Sequence, residues 1–328
     1  MPMVTQYHPP KDPNAVDVPR NTSTSCSFSR NWLLHIAQET VDIARQGKYR
    51  NSRGETVLVA DAVENSVKNS VHYHFSHRFT VPEMEEGGKL FETKYYVGYI
   101  SSIEAAAKLK MDSPREHIGI LNSASSRTPG GKFSRGTLSQ EDVICRTSLL
   151  YACLVQFKDE PDHYYQINNG FTEAGTSSSC AIFSPRVPII RKDSVQAPLL
   201  DEFQECSFVS IPATNAFIVG RQEDRQSVAQ VSSKHKQDLR LLTLKEAMRD
   251  RLFRALCIFA QHGCTELVLC AFGCGVHGNR PTMVAEIFKE LLTNELNGRF
   301  KKVVFAIQPS RTNNYKAFLS VFPEALAF

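Results

Sequence analysis

Several runs in this chain have the length of a β-strand and almost no polar face, and that feature restricts the fold more than any other. ELVLCAF (266–272), KVVFAI (302–307), HIGIL (117–121) and CAIF (180–183) are the clearest; YYVGYI (95–100), VPII (187–190), FVSIPA (208–213) and the short TVLVA (56–60) join them. A strand that is apolar on both faces must be covered on both faces, which helices do in α/β proteins. The covering helices are legible too. Leu33, Ile36, Ala37, Thr40, Ile43 and Ala44 follow helical spacing and stop at Gly47. Ser139 to Phe157 puts Val143, Thr147, Leu150, Tyr151 and Leu154 on one face. Thr243 to His262 opens on Thr243-x-x-Glu246 and ends at Gly263, and a further helix runs from Pro281 to about Leu296. The expected class is a layered α/β fold.

At 328 residues and 42% hydrophobic content the chain can bury a large core. No internal repeat and no Pro/Ser-rich linker divides it, so one large domain is expected over residues 29–328. Residues 1–28 carry Pro2, Pro9, Pro10, Pro13 and Pro19 and end in NTSTSCS, which reads as a flexible tail. Residues 85–89 and 221–238 read as surface excursions. The net charge of +4 comes from 38 basic and 34 acidic residues well mixed along the chain, which speaks for a small anionic ligand and against nucleic acid. No run of 18 apolar residues and no signal-like start is present, so neither membrane insertion nor secretion is expected. Nine cysteines, Cys145, Cys153, Cys257 and Cys270 among them, sit mostly in apolar runs, as free thiols of a cytoplasmic or nuclear protein would. Cys270 and Cys274 do not make a metal site by themselves, and no metal or cofactor is expected.

Gly273, Gly275 and Gly278 are spaced as G-x-G-x-x-G between the run ELVLCAF and a helix start, with Asn279 beside them. Such a turn lets backbone N–H groups converge on phosphate oxygens while the helix N-terminus adds favourable charge. A dinucleotide-binding turn would require an acidic residue at the end of the following strand to hold a ribose. That strand is KVVFAI, and Gln308-Pro309 follows it, so an NAD-dependent oxidoreductase fits poorly. Upstream, Asn122 sits at the carboxyl end of a strand, Pro129-Gly130-Gly131 forms a turn, and Glu141-Asp142 opens a helix. Ser139-x-x-Asp142 is also a capping box, which gives Asp142 a purely structural alternative. Two acids beside two glycine loops could instead bind a nucleotide sugar and protonate its leaving group.

These motifs together resemble the microbial-type poly(ADP-ribose) glycohydrolase catalytic domain, a branch of the ADP-ribose-binding macrodomain superfamily. The resemblance rests on Asn122 to Ser125, Pro129 to Lys132, Gln140 to Asp142, Arg146 to Tyr151, FSPRVPIIR at 183–191, Ala271 to Asn279 and VVFAI at 303–307. QETVDIARQGKY at 38–49 is similar to the family's first helix, so about residues 30–308 are covered. It implies a three-layer α/β/α macrodomain-like fold with a mixed central sheet and an N-terminal helical extension. It further implies that Gly273, Cys274, Gly275, Val276, His277 and Asn279 form the diphosphate loop, with Asn122 at the distal ribose and Gln140 beside the acids. Gly130 and Gly131 would close over that ribose, and Lys132 beside them would either pair with phosphate or point to solvent. Glu141 would bind its hydroxyls, and Asp142 would take the place of the catalytic glutamate. Lys132 stands where the family keeps a third glycine, and His277 where an aromatic is common. The implied activity is release of ADP-ribose from ADP-ribosylated protein, with a non-catalytic ADP-ribose reader as the alternative.

Overall fold

The computed structural model describes residues 29–83, 90–170, 177–217 and 233–328. The expected tail at 1–28, the excursion at 85–89 and the part of the second excursion before residue 233 lie outside these. An eight-stranded mixed sheet forms the middle layer. In chain order its strands are β3 (Val71–Tyr73), β4 (Lys94–Gly98), β5 (Ile118–Ser123), β6 (Ala181–Arg191), β7 (Leu199–Ile211), β8 (Glu266–Leu269), β9 (Lys302–Ala306) and β10 (Leu326–Ala327). A separate antiparallel pair, β1 (Lys48–Arg50) and β2 (Thr56–Leu58), lies outside that sheet. The spatial order is β10-β4-β9-β8-β5-β7-β6-β3. Pairing is parallel from β10 through β7, and β6 runs against both of its neighbours.

Side-chain alternation explains why the core strands are apolar throughout. Leu121, Leu267, Val303 and Phe305 face one helical layer, while Ile120, Val268 and Val304 face the other. The first layer contains α7 (Ser233–Gln261), α8 (Pro281–Thr293) and α9 (Thr312–Val321). The second contains α1 (Arg30–Gln46), α2 (Ala60–Lys68), α3 (Ser102–Asp112), α4 (Gln140–Thr147), α5 (Leu150–Val155) and α6 (Tyr164–Gly170). Each fully buried Leu, Ile or Phe contributes about 1.5–3 kcal/mol relative to exposure, so the two layers hold the sheet from both sides. The α1 helix ends as its sequence indicates: Gly47 takes φ +68 and its N–H donates to Ile43 O at 2.9 Å.

Three expectations need correction. The helix expected from Ser139 to Phe157 is two helices, because Ser148 turns extended and bridges to Ile189 while Leu149 N–H donates to Pro188 O at 2.9 Å. Sheet pairing there displaces helix continuation. CAIF and VPII form one strand, β6, whose register shifts between Ser184 and Val187. Pro185 has no N–H for the ladder, and the irregularity absorbs it. Residues 233–238, read as loop, are the start of α7, which passes through Thr243 without beginning there. Lys234, Lys236 and Gln237, followed by Leu239 and Arg240, are good helix formers.

Candidate functional site

Because β4, β5, β7, β8 and β9 run parallel, the loops that follow them gather at one edge of the sheet, where open α/β sheets bind ligands. Asn122, next to the last residue of β5, is fully buried. Its Nδ2 donates to Ser210 Oγ on β7 at 3.0 Å and lies 3.5 Å from Glu141 Oε1. Its Oδ1 has no partner among the described residues. Gln140 braces the same strand end: Oε1 accepts from Ser123 N–H at 2.9 Å, and Nε2 donates to Leu121 O at 2.8 Å and Ser102 Oγ at 2.9 Å.

The acidic pair opens α4 and is buried, Glu141 at 2% and Asp142 at 1% exposure. Glu141 Oε2 accepts from Ser125 N–H at 2.7 Å. Burial pushes its carboxyl up from the ordinary 4.5 to about 8; the Asp142 charge adds to this, while the hydrogen bonds from Ser125 and Asn122 oppose it. Asp142 is tied at both oxygens. Oδ2 accepts from Ser139 N–H at 2.8 Å, completing a capping box, and Oδ1 accepts from Lys132 N–H at 2.8 Å. Asp142 thus fastens the Pro129–Lys132 turn onto the helix start. Gly131 has φ +64, and a Cβ there would sit 2.9 Å from Glu141 Oε2 and 3.1 Å from Asp142 Oδ1. Glycine is required at this point by both conformation and space, and the two acidic oxygens lie within about 6 Å of each other.

In the loop after β8, two glycines are demanded by the backbone. Gly273 (φ +69) and Gly278 (φ +67) are left-handed, and a Cβ would meet Ala213 Cβ and Asn279 Nδ2 at 2.7 Å in the first case and the Phe217 ring at 2.4 Å in the second. Gly275 is different: its φ is not left-handed, and the nearest atom to an added Cβ is Arg311 Nη2 at 4.0 Å. Asn279 is buried and its amide is fully engaged, donating to Thr214 O at 2.8 Å and Gly273 O at 2.9 Å and accepting from Thr214 Oγ1 at 2.9 Å. It therefore fastens the loop to the segment after β7. Cys274 Sγ donates to Phe272 O at 3.6 Å, Val276 is 80% exposed, and half-buried His277, whose pKa is lowered by burial, accepts Ala216 N–H on its carbonyl at 2.9 Å.

The structure thus gathers Asn122, Gly130, Gly131, Lys132, Gln140, Glu141 and Asp142 into one contact network. It places Gly273, Cys274, Gly275, Val276, His277 and Asn279 on the neighbouring strand's loop. Cys270 Sγ, 3.6 Å from Gln140 Oε1, joins the two. Tyr164 and Tyr165 were not singled out in the sequence. Both are fully buried, their hydroxyls lack partners among the described residues, and burial together with the Glu141 charge raises both phenols. The adjacent aromatic pair in HYYQ was the available signal. Among the described residues no three His, Cys, Asp or Glu side chains converge as metal ligands, and no helix is long and apolar enough to cross a membrane.

A layered α/β fold with a buried acidic pair and a glycine loop at one sheet edge defines a macrodomain-like protein. Residues 37–192 match the family model described as microbial-type PARG, catalytic domain. The matched segment contains Asn122, the Gly130-Gly131 turn and the acidic pair, and ends before the loop at 271–279. The structure of poly(ADP-ribose) glycohydrolase from Thermomonospora curvata bound to the inhibitor ADP-HPD superposes with a TM-score of 0.71 at 29% identity, covering 89% of this chain and 100% of that one. That of the Deinococcus radiodurans enzyme in complex with ADP-ribose gives 0.66 at 28% identity, covering 82% and 100%. No curated protein matches. The match over residues 37–192 and the likeness to these structures support an enzyme of the glycohydrolase class.

Proposed function

We propose that this protein releases ADP-ribose from ADP-ribosylated protein, with the acidic pair as its acid machinery and the 271–279 loop as its diphosphate site. The observation that carries the reading is the Glu141 carboxyl, fully enclosed and raised to about 8, so that a proton is held at neutral pH beside a second acid. The bond from C1″ of the terminal ribose to the acceptor oxygen breaks as that oxygen takes a proton from the pair. Water then adds to the oxocarbenium-like carbon and returns a proton. Asp142, in the catalytic glutamate's place by the family resemblance, is assigned proton delivery, and Glu141 is assigned the ribose hydroxyls and the resting proton. The unpartnered Asn122 Oδ1 is assigned a ribose hydroxyl as donor.

Gly275 supports the diphosphate assignment, since neither its φ nor its surroundings require glycine, leaving backbone approach by a ligand as the reason for it. Asn279 and Gln140 position these loops. Protein-linked mono-ADP-ribose is favoured over chains, because Asp142 is one methylene shorter than glutamate and a displacement of about 1 Å can cost on the order of 10²-fold in rate. The test measures ADP-ribose released from mono- and poly-modified protein alongside binding of free ADP-ribose. Release that is faster from mono-modified protein supports the assignment, and binding without release from either substrate sinks it in favour of a reader.

A further inference from the structure

We propose that Arg30, Arg127, Lys132 and Arg135 form a basic docking surface beside the Gly130–Gly131 turn, and that its partner is a carboxylate-rich segment of the ADP-ribosylated protein. The choice of partner rests on the release reaction proposed above; the surface itself does not. Between Ser123 and Gln140 the chain holds Arg127, Lys132 and Arg135 and no acidic residue, and all three cations are exposed. The start of α1 adds exposed Arg30, whose Nε donates to Arg135 O at 3.1 Å and whose Cγ lies 2.9 Å from where a Cβ on Gly136 would be. None of these cations forms an ion pair with a described residue.

Stability does not explain the grouping. Arg30 opens a helix whose first turn has no acidic residue and whose Ser29 cap makes no side-chain hydrogen bond, so its charge opposes the helix dipole. Like charges gathered without a carboxylate repel over a screening length of about 8–10 Å at physiological salt, and an anionic partner turns that repulsion into attraction. The surface also sits where the acceptor must pass. Ser125 N–H donates to Glu141 Oε2 at 2.7 Å and Lys132 N–H to Asp142 Oδ1 at 2.8 Å. Arg127 N–H donates to Ser125 Oγ at 3.3 Å, and Arg135 N–H to Lys132 O at 2.8 Å. The cations therefore ride on the segment that touches both acids. A ligand whose diphosphate lies on the β8 loop and whose ribose lies at the acids carries its acceptor beyond them, beside this turn. Guanidinium groups suit carboxylates, which they can grip with two parallel hydrogen bonds. A second ADP-ribose unit is anionic too, but Asp142, the shorter acid on which the preference for protein-linked ADP-ribose rests, is bonded to this same turn.

Fluorescence anisotropy with labelled hexaglutamate tests the surface without ADP-ribose. Wild-type protein should bind it, with affinity falling as salt rises. The double substitution Arg127→Gln with Arg135→Gln should weaken binding roughly fivefold or more, as loss of two exposed charge contacts does. Arg127→Lys with Arg135→Lys keeps both charges and should bind within about twofold of wild type. Melting temperatures check that the variants are folded. Release is then followed from two peptides of equal length carrying ADP-ribose on a glutamate, one flanked by Glu and Asp, the other by Ser and Gly. In wild type KM should be roughly fivefold or more lower for the acidic peptide; in the charge-removed variant the two should be equal, with kcat unchanged. Wild type that ignores hexaglutamate, or a charge-removed variant that binds it unchanged, would overturn the proposal even where ADP-ribose is released. Equal KM values in wild type, or a charge-removed variant impaired only on poly(ADP-ribose), would overturn it as well, the second by giving the surface to the polymer. Hexaglutamate binding lost in that variant, with no release from either peptide, would uphold the docking surface and remove the hydrolase reading.

Discussion

At the scale of single residues, the two neighbouring acids are held in contrasting ways, and each contrast predicts a measurement. The Glu141 carboxyl has a folded-state value of about 8 against an ordinary 4.5. A group raised on folding favours the folded state fully below its unfolded value, and that advantage drains away as pH climbs to the folded value. Stability should therefore fall between pH 4.5 and about 8, by at most on the order of 5 kcal/mol from this group. Glu141→Gln should flatten that decline in melting temperature while weakening ADP-ribose binding and turnover; a variant whose melting temperature still falls as steeply as wild type would place the titrating group elsewhere. Asp142 uses both oxygens as acceptors. Asparagine offers one acceptor and a donor, so Asp142→Asn should set an N–H against an N–H and cost about 1–3 kcal/mol of stability. Its release rate per folded molecule should also fall by about 10²-fold or more. Asp142→Glu keeps two acceptor oxygens and should hold or raise the rate. A folded Asp142→Asn protein with an unchanged rate would leave this residue the cap alone.

At the scale of elements, the turn after β8 separates glycine kept for the backbone from glycine kept for a ligand. Gly275→Val should weaken ADP-ribose binding with little change in melting temperature, because no described atom lies closer than 4.0 Å to the new Cβ. Unchanged affinity in the folded variant would make the turn structural. The glycine spacing was legible in the sequence, but which of the three glycines left space open was not, since that depends on Ala213, Phe217 and Arg311 arriving from other elements. The doubly covered strands β5, β8 and β9 were legible for the converse reason: local pattern and tertiary environment agree there. The break at Ser148 was not, because a helical pattern runs through it and only the pairing with Ile189 interrupts it. The acidic pair could be named from sequence with its capping role still in competition. The Lys132 N–H bond shows that the capping residue also fastens the glycine turn. Asn279, grouped by sequence with the ligand loop, has its amide committed to Thr214 and Gly273. Arg311 lies beyond the last matched motif and carries no pattern of its own.

At the scale of the whole molecule, the candidate site is assembled from segments more than a hundred residues apart, joined by strand pairing and by side-chain hydrogen bonds. Asn122 reaches β7 through Ser210, Gln140 joins α4 to β5 and approaches Cys270, and Asn279 joins the β8 loop to Thr214. A ligand lying across these loops would add ties among them beyond the pairing of β5 with β7 and β8. Anything that binds the folded chain and not the unfolded one raises stability by mass action, about 2.7 kcal/mol when its concentration is 100 times its Kd. Free ADP-ribose should accordingly raise the melting temperature in a concentration-dependent way. NADH shares the adenosine and the diphosphate, but its nicotinamide occupies the ribose carbon that ADP-ribose leaves free toward the enclosed Glu141 and Asp142. The Gly131 turn is fastened beside that pair through Lys132 N–H, 2.8 Å from Asp142 Oδ1, so a bulky ring on the ribose carbon would have to displace it. NADH should therefore stabilise much less at equal concentration. A shift from NADH as large as that from ADP-ribose would show that the acidic pair does not select the terminal ribose, and would return the β8 loop to a general dinucleotide site.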